Sequence, residues 1–156
     1  MANIRTITLL PAKILKEKLK PLTEAEIKSE KIQKLIEDMR ESMIVANGVG
    51  LSANQVNENL QLFVIDKKLA EEHGVPDVFI NPEITEYSRE KDEMEEGCLS
   101  IPEYFVPIPR SKKVKVRALG PDGKKLKFKA RGFLSRVLQH EYDHLNGLLI
   151  KDRQSK

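Results

Sequence analysis

Cysteine occurs only once in this 156-residue chain, which excludes an internal disulfide and makes a reducing, intracellular setting the default. Long apolar runs are missing too: none approaches the ~20 residues of a membrane span. Met1-Ala2-Asn3-Ile4-Arg5 lacks the hydrophobic stretch of a signal peptide, so a cytoplasmic protein with no membrane partner is expected. Repeats and low-complexity blocks are absent, and no linker divides the chain. What is present is the composition of a soluble globular protein, 40% hydrophobic and 33% charged with a mean hydropathy of −0.43. This length suffices for one domain, residues 1–156, to bury a core without staples. A net charge of +3 says little by itself about nucleic acid.

Thr23-Glu24-Ala25-Glu26 is a capping box, after which Ile32, Leu35, Ile36, Met39, Met43 and Ile44 recur at helical spacing. One long helix is predicted there, with Gly48 placed to end it. Leu62-Phe63-Val64-Ile65 reads as a buried strand, and Asp77 to Ile80 as another closed by Asn81-Pro82. Further extended segments are expected at Ile84 to Tyr87 and Glu103 to Ile108. Val114, Val116 and Ala118, then Leu126, Phe128 and Ala130, alternate with charges around a Gly120-Pro121-Asp122-Gly123 turn, which predicts a hairpin. From Gly132 the period is helical again through Leu134, Val137, Leu138, Glu141 and Leu145, with Gly147 as the stop. The predicted class is α+β: a single domain with antiparallel strands, one long helix in the N-terminal half and a C-terminal helix.

That last helix carries Gln139-His140-Glu141-Tyr142-Asp143-His144. Two of the chain's three histidines sit one turn apart and point the same way, the spacing two imidazoles need to reach one metal ion. Glu141 between them is positioned to exchange protons with water at that ion. The bland alternative is a helix that merely carries polar residues. Only twelve residues follow His144, and they hold a single acid, Asp152, so a third ligand should lie upstream. Candidates are Cys98, His73 and several acids. Cys98 lies in Glu95-Glu96-Gly97-Cys98-Leu99-Ser100-Ile101-Pro102, where Gly97 permits an unusual backbone approach and Pro102 limits continuation of the segment. His73 is expected to end a short helical turn and face solvent. In Asn47-Gly48-Val49-Gly50-Leu51-Ser52-Ala53-Asn54-Gln55, turn chemistry is the simpler account of the glycines, while Gln55 has the donor and acceptor needed to hold a carbonyl.

Three segments, taken in order, resemble the motifs of the peptide deformylase family: Gly48 to Gln55, Glu96 to Ser100, and Gln139 to His144. The last two match fully; the first has Ser52 where alanine is usual. The resemblance implies a peptide-deformylase-like catalytic domain that hydrolyses the formyl group from the N-terminal formylmethionine of nascent polypeptides and releases formate. It further implies that Cys98, His140 and His144 bind one divalent metal ion per chain. Fe(II) is favoured in the cell, and Zn, Ni or Co may substitute. Glu141 would be the general acid/base, Gln55 and the backbone N–H of Leu99 would steady the oxyanion, and Gly50 with Val49 would bind the substrate. Many relatives carry arginine near Phe105, so peptide anchoring is expected to differ here. Competing readings are a metallopeptidase of another kind and a catalytically silent binding module; intact Glu141 beside intact ligands argues against the second.

Between Arg110 and Arg131 there are ten Lys/Arg and one acid, Asp122. Lys113, Lys115 and Arg117 share one strand face, as do Lys125, Lys127 and Lys129. A solvated face accounts for this simply, and electrostatic contact with the ribosome is the sharper expectation. No aromatic is interleaved on that face, so base stacking and specific DNA recognition are not expected.

Overall fold

A computed structural model describes residues 2–154. The helices are α1 (Glu24–Ile27), α2 (Glu30–Val45), α3 (Lys67–Glu72), α4 (Gly132–Leu145) and α5 (Ile150–Arg153). The strands are β1 (Gly50–Ser52), β2 (Leu62–Ile65), β3 (Val78–Tyr87), β4 (Lys91–Cys98), β5 (Ile101–Ser111), β6 (Lys113–Leu119) and β7 (Lys125–Arg131). They form a five-stranded antiparallel sheet, β1-β2-β3-β6-β7, and a separate β4-β5 pair, so the expected α+β class is observed.

The continuous apolar run of β2 is explained by burial on both faces. Leu62 and Val64, with Val78 and Ile80 of β3, pack on α2 through Ile32, Leu35, Ile36, Met39 and Met43. Phe63 and Ile65 point the other way, with Phe79, Val114, Val116 and Ala130, onto Leu134, Val137 and Leu138 of α4. Strand alternation thus lays one helix on each side of the sheet. A smaller cluster of Leu15, Ile101, Ile108, Leu149 and Ile150 seats the β4-β5 pair.

Four expectations are corrected. The long helix is α2, but the capping box at Thr23 starts only the short α1, and Ser29 caps α2 by accepting from the Ile32 N–H. Asn47, not Gly48, takes the left-handed conformation after α2 (φ 58°); Asn47 and Gly48 N–H then bond back to Ile44 and Met43 in a Schellman pattern, and Ile44 is left exposed. Asn81-Pro82 does not close a strand. β3 runs through it with a register shift, because the Asn81 side chain bonds both the N–H and the carbonyl of Leu22. Pro102 does not limit its segment either. β5 contains it and pairs only with β4, so its free edge tolerates the missing donor.

The hairpin turn and the C-terminal helix fall as expected. Gly147 ends α4 in the left-handed conformation (φ 75°), where an added Cβ would stand 2.5 Å from the Lys16 carbonyl oxygen.

Candidate metal centre and substrate cleft

β4 ends in an irregularity: Gly97 pairs with Phe105, but Cys98 pairs with Ile101. Cys98, two residues after Glu96, faces α4 at the end of this strand. His140 and His144, one turn apart on α4, bring their rings to a centroid separation of 5.0 Å, and Cys98 Sγ lies 3.4 Å from His144 Nε2. One ligand atom from each of Cys98, His140 and His144 lies within 4.8 Å of the others. One thiolate and two imidazoles at this separation fit a single metal ion and leave a coordination position for substrate. His73 stays apart, exposed at the end of α3 as expected.

Glu96, two residues before Cys98, accepts from His140 Nδ1 at 2.9 Å, which leaves Nε2 for the cleft. Glu96 is itself held by Arg110 at 2.9 and 3.0 Å and by Arg136 at 2.5 Å, and Arg110 reaches Asp143 at 2.6 Å. All four side chains are buried. Burial opposes ionisation of Glu96, but its hydrogen bonds with His140 and Arg110 prevail and bring it down to about 2. Burial likewise opposes a charged His140. Its bonds to Cys98 and Glu96 and the charge of Glu141 overcome that and raise it to about 10. His144 goes the other way, pushed down by burial and by the neighbouring charges of His140 and Arg110. The anions around His140 thus favour positive charge at that ring, a place an ion held by Cys98 and His140 would take from the proton, while His144 stays neutral and free to act as a donor. Sequence reasoning missed Glu96, Arg110, Arg136 and Asp143 in this role. A signal was there: Arg110 continues the inward series Val106, Ile108 on β5, and Arg136 sits among the core-facing positions of α4.

Glu141 is 3% exposed, and its Oε1 has no hydrogen-bond partner among the described residues. Burial pushes its carboxyl up to about 7, where a group exchanges protons readily near neutral pH. Gly50 explains how Glu141 fits. A Cβ there would lie 2.6 Å from Glu141 Oε2, so the glycine, expected in a turn, serves close approach inside strand β1.

Gln55 is buried with its amide pinned. Its Oε1 accepts from the Ser52 backbone N–H at 3.1 Å, with the Ser52 hydroxyl, closer to Asn54 Oδ1 at 2.6 Å, also 3.1 Å away, which directs Nε2 toward Ser100 Oγ (3.1 Å) and Cys98 Sγ (3.7 Å). Ser52 thereby sets which end of the amide faces the site. Asn54 ties the same segment to α4 through the His144 carbonyl at 2.9 Å. Leu99 follows Cys98 at the turn into β5, and Val49 stands exposed at the rim with its carbonyl bonded to Asp66 N–H. Both line a cavity of about 550 Å³ with Gly50, Gln55, Cys98, His140 and Glu141. Met94, Phe105, Phe133 and Val137 add apolar wall, which suits an unbranched apolar side chain. Phe105 lies over Gly97, where a Cβ would come within 2.4 Å of its ring.

Residues 4–156 match the polypeptide deformylase family. The chain belongs to that family. A peptide deformylase from Mesorhizobium japonicum is 42% identical over 153 residues, covering 98% of this chain and 85% of the relative. The crystal structure of peptide deformylase from Thermotoga maritima superposes with a TM-score of 0.90 at 41% identity, covering 99% of each chain. A Met-Ala-Ser-bound class I type b peptide deformylase from Acinetobacter baumannii gives 0.88 at 32% identity, covering 98% of this chain and 99% of that one. The α+β arrangement, the fold of these deformylases, is what brings the three separated motifs to one cleft.

Proposed function

We propose that this family member hydrolyses the formyl amide of N-terminal formylmethionine on newly made polypeptides, with residues 1–156 acting as one catalytic unit. The observation that carries the reading is buried Glu141, with one carboxylate oxygen unpartnered, beside the Cys98, His140 and His144 donor set at the floor of an apolar cavity. Membership of the deformylase family supports it, as does the tripeptide Met-Ala-Ser bound to the Acinetobacter relative, which is what deformylation of formyl-Met-Ala-Ser leaves.

Cys98, His140 and His144 would hold the ion. When bound, it acidifies water and polarises a carbonyl. Fe(II) is the ion proposed for the cell, with Zn, Ni or Co able to replace it, since thiolate with imidazole accepts all four. Glu141 takes a proton from the attacking water as its oxygen adds to the formyl carbon. It then gives that proton to the amine nitrogen as the C–N bond breaks, leaving formate and a free methionine N-terminus. Gln55 Nε2 and the Leu99 N–H steady the oxygen that gains charge. The main chain at Gly50 and Val49 pairs with the substrate backbone, while the apolar wall takes the methionine side chain. Such chains are made in the cytosol, where a lone thiol stays reduced. There the basic 110–131 hairpin would serve as an electrostatic contact with the ribosome.

The test is formate release from formyl-Met-Ala-Ser by protein loaded anaerobically with Fe(II) or Ni(II), beside the acetyl analogue. Formate release with poor action on the acetyl peptide is expected. Equal turnover of both, or cleavage of internal peptide bonds alone, overturns the reading.

A further inference from the structure

The hairpin of β6 and β7 carries its cations in register. Three successive cross-strand pairs, Lys113 with Arg131, Lys115 with Lys129 and Arg117 with Lys127, face each other on the side turned away from α4, and Lys125 extends the row. Like charges directly opposite across a sheet are destabilising. Two β6 cations are paired, Lys115 with Glu86 of β3 at 2.5 Å and Arg117 with Glu83 at 2.7 Å, and the Glu86 charge also reaches Lys129 of β7. Lys125, Lys127, Lys129, Arg131 and Lys113 form no ion pair within 4 Å among the described residues. The face thus holds seven cations and two acids, net +5, on a chain of net +3, so the remainder is net −2.

Lysines on an edge strand also guard against edge-to-edge pairing, and β7 is an edge. That purpose needs charge on β7 alone, whereas β6 is an interior strand and carries the facing cations. Packing does not call for them either. α2 covers β1, β2 and the start of β3, and meets the end of the hairpin at Leu119 and at Gln33, which bonds the Pro121 carbonyl. The rest of that face lies open; its one apolar side chain on β6 and β7 is Leu119, half-buried against the α2-side core opposite Lys125, while Leu126 and Phe128 point to the opposite side. Cations spaced ~6.8 Å apart along each strand, two strands wide, suit a regular array of phosphates.

We propose that this face docks on the phosphate backbone of folded RNA. The inference rests on the proposed action on newly made chains, whose place of synthesis is rich in RNA. Because the face lies across the sheet from α4, the cleft stays open to a peptide while RNA is bound. Phosphate contacts position a protein without reading sequence, which matches the absence of any base-reading group.

The probe is a fluorescent 20-base-pair RNA duplex titrated with metal-loaded enzyme at 50 and 200 mM salt. With four or five phosphates neutralised, affinity should fall roughly 100- to 500-fold between the two. K125Q/K127Q/K129Q should bind at least ~10-fold more weakly at 50 mM and show a flatter salt slope. Its melting temperature should hold or rise, because facing charges are removed. Formate release from formyl-Met-Ala-Ser should be unchanged. K13Q/K16Q/K18Q, which removes equal charge from the exposed turn near the N-terminus, should bind RNA nearly as wild type does. Equal loss in both triple variants, no binding at 50 mM, or binding to phosphatidylserine vesicles in place of RNA each overturns the proposal. Absence of formate release with hairpin-dependent RNA binding intact would strike the catalytic reading and leave this one standing.

Discussion

Glu96→Gln isolates the residue that orients the proposed metal ligand His140. In the wild type one carboxylate accepts from His140 Nδ1, from Nε and Nη2 of Arg110 and from Nη1 of Arg136, all largely out of water. A glutamine keeps the volume and one acceptor, but it turns an amide donor toward guanidinium donors and leaves two buried arginines short of an anion. Losing one partner of a buried ion pair costs about 3–5 kcal/mol. The pH dependence supplies a second figure. Glu96 ionises at about 2 in the fold against an ordinary 4.5, and at about 1.4 kcal/mol per tenfold this is about 3 kcal/mol of stability. The sign follows from a lowered carboxyl: the stabilisation is present above pH 4.5 and is lost as pH falls toward 2. Metal-free wild type should therefore melt roughly 10 °C above Glu96→Gln at pH 6, and the gap should close between pH 4.5 and 2. With the His140 ring no longer held by an anion, metal affinity should drop by about 10- to 100-fold in chelator competition. A melting gap that stays constant down to pH 2.5, or unchanged metal affinity, would refute this account of Glu96.

The other expectations concern groups in the cleft. Glu141→Gln keeps size and hydrogen bonding but cannot take a proton, so kcat for formate release should fall at least ~10²-fold at full metal occupancy; retained activity would remove Glu141 from the chemistry. Cys98→Ala should lose most bound metal by elemental analysis while His73→Ala keeps it, and full occupancy in Cys98→Ala would make the cysteine core filler. Gly50→Ala should displace the Glu141 carboxylate, whose Oε2 lies 2.6 Å from the new Cβ, so kcat should fall ~10-fold or more with metal content preserved; normal kcat would show that the carboxylate can shift freely.

Locality decides how much of this was legible in the sequence. His140, Glu141 and His144 sit on one helix, so spacing alone relates them. Cys98 is 42 residues from His140, and no periodicity links the two; family resemblance supplied that tie. β4 was not expected at all, because Lys91-Asp92-Glu93-Met94-Glu95-Glu96-Gly97-Cys98 has almost no apolar alternation. It holds as a strand because β5 pairs along its length and its inward side chains include Glu96, whose charge Arg110 and Arg136 answer. Gly50 misled for a related reason. A glycine announces that a side chain is not tolerated, but not whether the cause is its own backbone or, as here, a carboxylate 91 residues further on.

The same geometry explains why so few segments build the centre. Glu96 and Cys98 are two apart on one strand, so β4 delivers the orienting carboxylate and the thiolate to one side together. α4 delivers both imidazoles and Glu141, and its Asp143 reaches back to Arg110, which also grips Glu96. Strand and helix are therefore locked by the ionic cluster that orients His140, and neither can move without disturbing the ligands. The segment after α2 then has only the substrate side to build. Ser52 points the Gln55 amide inward, Gly50 leaves room for Glu141, and Asn54 anchors the segment to the carbonyl of His144. On the proposed reading, ion placement and substrate placement thus reside on different elements that meet at α4. Substitutions at the cleft rim, such as at exposed Phe105, would then alter peptide preference without touching the proposed ligand set.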